Sequence, residues 1–175
     1  EVTDRVLYKG SIFKATVSRI EKSLNAAFVD FGSSRHGFLP LRELSKNFYK
    51  KNSQGKSECT LKEGQEILVQ VNKEERGTKG ATLSTQISIA GRFMVLIANS
   101  DKSGGISRRI TGDEREDLKN QIAKLDIPEG MSVIIRTAGI ERSFEELQND
   151  LNYLISLWDD INATQASADS CLLYT

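Results

Sequence analysis

Along the first half of the chain, apolar and polar positions alternate over short stretches. Residues 6–22 read as one long strand, with Ile12, Val17 and Ile20 as apolar positions and β-branched residues frequent. Gly10, near its start, predicts a bulge or sharp coil of the kind small closed barrels need. Residues 24–31 and 35–39 form two further short strands about a Gly-Ser-Ser turn, and Pro40 opens a helical turn over 40–44. The polar stretch 45–60 reads as a mobile loop. A strand at 66–71, a charged hairpin loop at 74–79 and a fifth strand at 80–87 follow. Five short strands with one long loop predict an OB-type β-barrel over residues 1–88.

The second half changes period. Residues 93–97 read as a strand, and Gly104 and Gly105 form a loop leading to residues 106–110. Thr111 and Glu114 have capping-box spacing, and Leu118, Ile122 and Leu125 then share a helical face that Ile127 and Pro128 bring to a stop. A strand at 132–137 precedes a second box, Ser143 and Glu146. That box opens a helix with Phe144, Leu147, Leu151, Leu154, Ile155, Trp158 and Ile161 along one stripe. This order predicts a small α/β subdomain over residues 89–175, and the fold class is α+β. The run 171–175 is β-like with no partner of its own, so it is expected to continue into another domain. The start, Glu1-Val2-Thr3-Asp4, reads as a cut point.

Composition narrows the class. A hydrophobic content of 38% with 27% charged residues is that of a globular protein, and no run is apolar enough to predict a membrane span. Cys59 and Cys171 stand far apart with a single histidine, His36, so the stretch encodes no zinc site, and reduced cytoplasmic thiols are expected. A net charge of zero argues against nucleic acid as a partner, but its distribution reverses that. Residues 1–85 hold 15 basic and 10 acidic side chains, whereas residues 86–175 hold 9 and 14. The first half is therefore the polyanion-binding candidate.

Phe28 and Phe38 each lie beside basic residues on short strands, with Ala27 and Val29 free to face the core. Two roles are open to them: stacking of single-stranded bases, or core filling like that expected of Phe13 and Phe31. Lys79, on the 74–79 hairpin, either neutralises a phosphate or decorates a solvated turn. Arg136 and Thr137 close a strand with a guanidinium fork and a hydroxyl, suited to a terminal phosphate or to an ordinary ion pair. The glycine loop before Arg108 and Arg109 is a weaker anion candidate. His36 reads as an exposed, non-catalytic turn residue. Asp113, Glu114, Glu116 and Asp117 fit a helix start better than a metal site.

Several segments together resemble the ribonuclease E/G family. They are Tyr8-Lys9-Gly10, Ala26-Ala27-Phe28-Val29-Asp30, Arg35-His36-Gly37-Phe38-Leu39-Pro40 and the 73–80 hairpin, followed by Gly104-Gly105-Ile106-Ser107-Arg108-Arg109-Ile110 and Ile135-Arg136-Thr137-Ala138-Gly139. The third and fifth look more like ribonuclease E than ribonuclease G. The resemblance implies an S1 RNA-binding barrel followed by a 5′-sensor region. It implies that Phe28, Phe38 and Lys79 contact single-stranded RNA. It further implies that Arg136 and Thr137 grip a 5′-monophosphate with help from Gly91 and Val95 in residues 91–95, and Arg108 and Arg109 are possible further RNA contacts. The family's catalytic aspartates and zinc-binding cysteines are expected in later domains, so this stretch should bind RNA without cutting it and should hold no catalytic or metal residue. For the parent protein the resemblance implies Mg and Zn, a homo-tetramer, degradosome association and a bacterial cytoplasmic location, at or near the inner membrane face. A generic single-stranded RNA-binding module and a protein-interaction scaffold are the alternatives.

Overall fold

A computed structural model describes residues 8–100, 104–167 and 172–174. Its first strands are β1 (Ile12–Glu21), β2 (Ala26–Asp30), β3 (Gly37–Pro40), β4 (Tyr49–Lys51), β5 (Ser57–Cys59), β6 (Glu66–Lys73) and β7 (Thr82–Ser84). Five of them close into a barrel in the order β1-β2-β3-β7-β6, with β6 returning to pair with β1. All contacts are antiparallel except β3 with β7, where Phe38 pairs with Thr82 in parallel, so the barrel is mixed. It is a five-stranded OB-type barrel.

β1 can serve two neighbours because it is long. Residues 12–16 pair with β6 and residues 16–21 with β2, and the register slips between Val17 and Arg19. The bulge in β1 therefore lies at Ser18, and Gly10 is the site of the other alternative, a sharp turn. Gly10 precedes the strand, at φ +93, with its N–H on the Val71 carbonyl. Alternation along β2 buries Ala27 and Val29 completely, while Phe13 and Phe31 meet edge to face inside at 5.2 Å. Burying a phenylalanine this way contributes about 1.5–3 kcal/mol. Gly37 is fixed by close packing, because a Cβ there would run into Leu83 and Phe31.

Residues 45–60, expected as a mobile loop, contain regular structure. A 3-10 turn (Lys46–Phe48) leads into the β4–β5 hairpin, and Tyr49 donates its hydroxyl to the Leu41 carbonyl at 2.9 Å. Asn52 organises the hairpin end: its Oδ1 accepts from the Gln54 and Lys56 amides, and its Nδ2 donates to Glu58. Burial pushes the Tyr49 phenol above its ordinary value, with a smaller contribution from Cys59.

The remaining elements are β8 (Ser88–Ala90), β9 (Met94–Ile97), β10 (Gly105–Ile106), α1 (Gly112–Ile122), β11 (Ser132–Ile135), α2 (Phe144–Ser167) and β12 (Leu172–Tyr174). A four-stranded sheet runs β10-β11-β9-β8, with β10 parallel to β11. Its inner face carries Met94, Leu96, Val133 and Ile135, and α2 contributes Leu147, Leu151 and Leu154, all with no exposure. Phe144, placed on that stripe by periodicity, is 40% exposed. The box at α2 forms as expected: the Ser143 N–H donates to Glu146 and the Glu146 N–H to Ser143 Oγ. The box at α1 does not. Gly112 turns through φ +66 just inside that helix, and Thr111 makes no side-chain cap.

β12 is not without a partner. It pairs antiparallel with the start of β1, Tyr174 opposite Ile12 and Leu172 opposite Phe13. The chain thus forms two compact units, one running up to Ile87 and resuming at Ile161, the other Ser88–Asp160.

Candidate nucleic-acid interface

On the barrel, register brings the two candidate aromatics together. Phe28 and Phe38 are opposed partners on β2 and β3, their ring centroids 5.9 Å apart and planes inclined at 67°, and both are half-buried. Because Phe28 points away from the Ala27 and Val29 side, it is spared from the core, and the pair forms a shallow aromatic surface. Arg19 lies over Phe28, its Cζ 5.2 Å from the ring centroid, with its Nε also 3.1 Å from Glu21.

The Ser18 bulge adds a polar chain to that face. Its hydroxyl donates to the Phe28 carbonyl at 2.9 Å, and His36 Nδ1 lies 2.9 Å from the Ser18 Oγ. Where the hydroxyl proton serves the carbonyl, a hydrogen bond to His36 requires the proton on Nδ1. His36 is exposed, as expected, yet it has a structural partner that the sequence did not disclose.

Lys79 is exposed at the end of a tight turn in which Arg76 and Lys79 exchange backbone hydrogen bonds at 3.1 and 2.9 Å. It has no acidic partner among the described residues. The Phe38 N–H donates to the Ala81 carbonyl at 2.8 Å, so the segment that carries Lys79 runs alongside the strand that carries Phe38. Arg35 secures the turn through the Gly77 carbonyl.

In the α/β unit, several candidates gather at one end of the sheet. The Arg136 N–H donates to the Phe93 carbonyl at 2.8 Å, and its Nη1 donates to the Gly91 carbonyl at 2.9 Å. Thr137 follows, exposed, at the start of a 3-10 turn (Thr137–Gly139). The Ser107 N–H is held by the Ile135 carbonyl at 2.9 Å, which brings the exposed Arg108 and Arg109 to the same end. Arg115 braces their loop by donating to the Ile106, Ser107 and Ile110 carbonyls. Val95 is half-buried within β9, in register with Ala90 and Ile134.

The residue that shapes this end is Asp150, which the sequence reading missed. Its carboxylate, on a residue only 9% exposed, accepts three backbone N–H groups: Arg92 at 3.0 Å, Phe93 at 2.9 Å and Met94 at 3.2 Å. Gly91 makes room for it, since a Cβ there would sit 2.6 Å from Asp150 Oδ2. The available signal was an acidic residue inside the leucine stripe of α2, where burial demands hydrogen-bond partners. Arg92 and Arg142, also missed, both lie over the Phe93 ring.

Among the described residues, no group of three or more His, Cys, Asp or Glu could hold a metal ion. The described residues therefore offer no cluster for the Mg or Zn that the family resemblance implies for the parent protein. No helix of the described residues is long and apolar enough to cross a membrane.

A five-stranded barrel with an aromatic pair and cations on one face belongs to the class of S1 RNA-binding domains, and residues 7–86 match the S1 RNA binding domain. Residues 88–175 match the Ribonuclease E/G family, and the chain belongs to that family. Ribonuclease E of Escherichia coli strain K12 is 49% identical over 163 residues, covering 91% of this chain and 15% of its own length. A putative ribonuclease E of Buchnera aphidicola subsp. Baizongia pistaciae is 46% identical over 99% of this chain and 44% of its own length. Ribonuclease G of the same Escherichia coli strain is 33% identical over 87% and 32%. The chain thus spans between 15% and 44% of the length of these curated relatives, and its sequence corresponds to the N-terminal region of ribonuclease E.

Proposed function

We propose that this chain captures single-stranded RNA and senses its 5′-monophosphate for an endoribonuclease of the ribonuclease E type. The observation that carries the reading is the fixed Arg136 guanidinium, tied to the Gly91 carbonyl beside the exposed Thr137 hydroxyl. A guanidinium held by one N–H has its other edges free for phosphate oxygens, and the hydroxyl adds a donor. Gly91 and Val95 supply the backbone beside them. On the barrel, Phe28 and Phe38 stack bases while Lys79 neutralises a phosphate, and Arg108 and Arg109 extend the contact to the strand. A site sized for one phosphate excludes a triphosphate, which selects transcripts already entered into decay.

On this reading the whole protein is a Mg-dependent endoribonuclease of mRNA decay and of rRNA and tRNA processing. It is a zinc-linked homo-tetramer within a degradosome, in the bacterial cytoplasm or at the inner face of the membrane. Phosphodiester hydrolysis with Mg requires metal-binding carboxylates that the described residues do not gather, so cleavage is assigned to other parts of the protein.

The test is fluorescence anisotropy with 3′-labelled single-stranded RNA decamers bearing a 5′-hydroxyl, monophosphate or triphosphate. The monophosphate should bind tightest, and Arg136→Ala should bring the three together. Equal, salt-sensitive binding by the unaltered chain would overturn the sensor and leave a generic single-stranded RNA module. Absence of salt-sensitive binding would favour a protein-interaction scaffold.

A further inference from the structure

Two arginines at the sensor end of the sheet remain without a role. The Cζ of Arg92 lies 5.6 Å from the Phe93 ring centroid and that of Arg142 lies 5.3 Å from it. Phe93 itself is 8% exposed and anchored through its N–H to Asp150 at 2.9 Å. A guanidinium stacked on a ring keeps the N–H groups along its edge free for an anion, and stacking fixes its direction.

Neither arginine is neutralised closely. Arg92 has no acidic partner among the described residues, and Arg142 Nη1 reaches Glu146 Oε1 only at 3.9 Å. The other oxygen of Glu146, Oε2, accepts the Ser143 N–H at 3.0 Å. The Asp150 carboxylate is occupied by three backbone N–H groups, including that of Arg92. The chain also takes a strained course to place Arg142, because Glu141 just before it is held at φ +59, a conformation that residues with a side chain rarely adopt. Two cations over one buried ring, one with no acidic partner among the described residues and one only loosely paired, suit a polyanion.

We propose that Arg92, Phe93 and Arg142 form a second phosphate subsite beside Arg136, which takes an internucleotide phosphate of the RNA whose 5′ end the sensor holds. This rests on the sensor reading for its orientation, but not for its chemistry. Arg136 reads the end of the strand, and the stacked pair holds the backbone that follows and so sets the direction in which the strand leaves.

The experiment is a neutral-linkage scan on the full chain. A 3′-labelled, 5′-monophosphorylated RNA decamer is prepared with one methylphosphonate at the first, second or third linkage, and anisotropy is read for each. The unaltered chain should lose about tenfold in affinity at one of these linkages, as expected for a charged hydrogen-bonded contact. The double variant Arg92→Gln and Arg142→Gln should bind the normal RNA more weakly, with a shallower salt dependence, and should be indifferent to the neutral linkage. It should keep its preference for monophosphate over hydroxyl, which Arg136→Ala should lose. Equal loss at every linkage in the unaltered chain and the double variant would overturn the subsite. An unaltered chain blind to its 5′ end would overturn the sensor alone, since the coupling between linkage and arginines is read independently. Single variants Arg92→Gln and Arg142→Gln, checked by thermal melting, give the same coupling if the double variant folds poorly.

Discussion

Gly91 and Asp150 are fitted to one another: the bare Cα of one leaves the space that the carboxylate of the other fills, and a methyl group at 91 would sit 2.6 Å from Oδ2 and 2.9 Å from Oδ1. Gly91→Ala should destabilise by about 1–3 kcal/mol through overpacking. Asp150→Ala should cost about as much or more, by leaving three backbone N–H groups facing an emptied site. The double variant should cost clearly less than the sum, because each change removes the other's partner. Denaturant melts of the four proteins measure this, and additive losses would show that the two residues do not share the space.

Phe28→Ala and Phe38→Ala should each weaken binding of a single-stranded RNA decamer by about 1–3 kcal/mol, roughly 5- to 150-fold. Folding stability should fall far less than for Phe31→Ala, because Phe31 is 2% exposed and Phe28 and Phe38 are half-buried. Anisotropy and thermal melting on the same samples separate the effects. A loss of stability equal to that of Phe31→Ala would make the pair part of the core.

Gly37→Ala should destabilise the barrel by about 1–3 kcal/mol, since the added methyl enters the space of Leu83 and Phe31. Leu83→Ala, itself costly because Leu83 is fully buried, should cost less in that background than in the unaltered chain. Chemical denaturation checks it, and a neutral Gly37→Ala would mean that β3 shifts freely.

The Tyr49 phenol should titrate late. It is raised by burial, so the folded chain holds that proton more tightly than the unfolded chain. Its contribution to stability is full below the ordinary tyrosine value and is lost as pH rises through the raised one. Ultraviolet titration of phenolate should show a late component that Tyr49→Phe removes. An unchanged curve would place the burial elsewhere.

Much of the barrel is legible because its cause is local. Alternation and β-branching mark β1, β2, β3 and β6, and parity along β2 already separates Phe28 from Ala27 and Val29. Residues 45–60 are not legible, because order there comes from Asn52 bridging its own hairpin and from Tyr49 reaching Leu41. The two capping boxes carry the same spacing, yet the one after Thr111 fails because Gly112 changes the backbone before the side chain can cap. Arg136 and Thr137 stand out as strand-end chemistry, whereas Asp150 and Arg142 acquire meaning only when α2 and the turn before it are brought to Gly91 and Phe93. The partner of β12 lies some 160 positions away in sequence, beyond the reach of any local pattern.

That long-range pairing makes the Ser88–Asp160 unit an insertion within the other one. If the inserted unit melts while both of its ends stay anchored, its 73 residues, 88 to 160, become a closed loop. Holding such a loop shut costs roughly 4 kcal/mol of chain entropy, which works against the β1–β12 pairing and the Lys14 bond to the Gln165 carbonyl. Unfolding of the insert therefore weakens the seam that holds the barrel's added edge strand. Any ligand that stabilises the insert stabilises that seam as well, so the two units share part of one cooperative transition through chain connectivity alone.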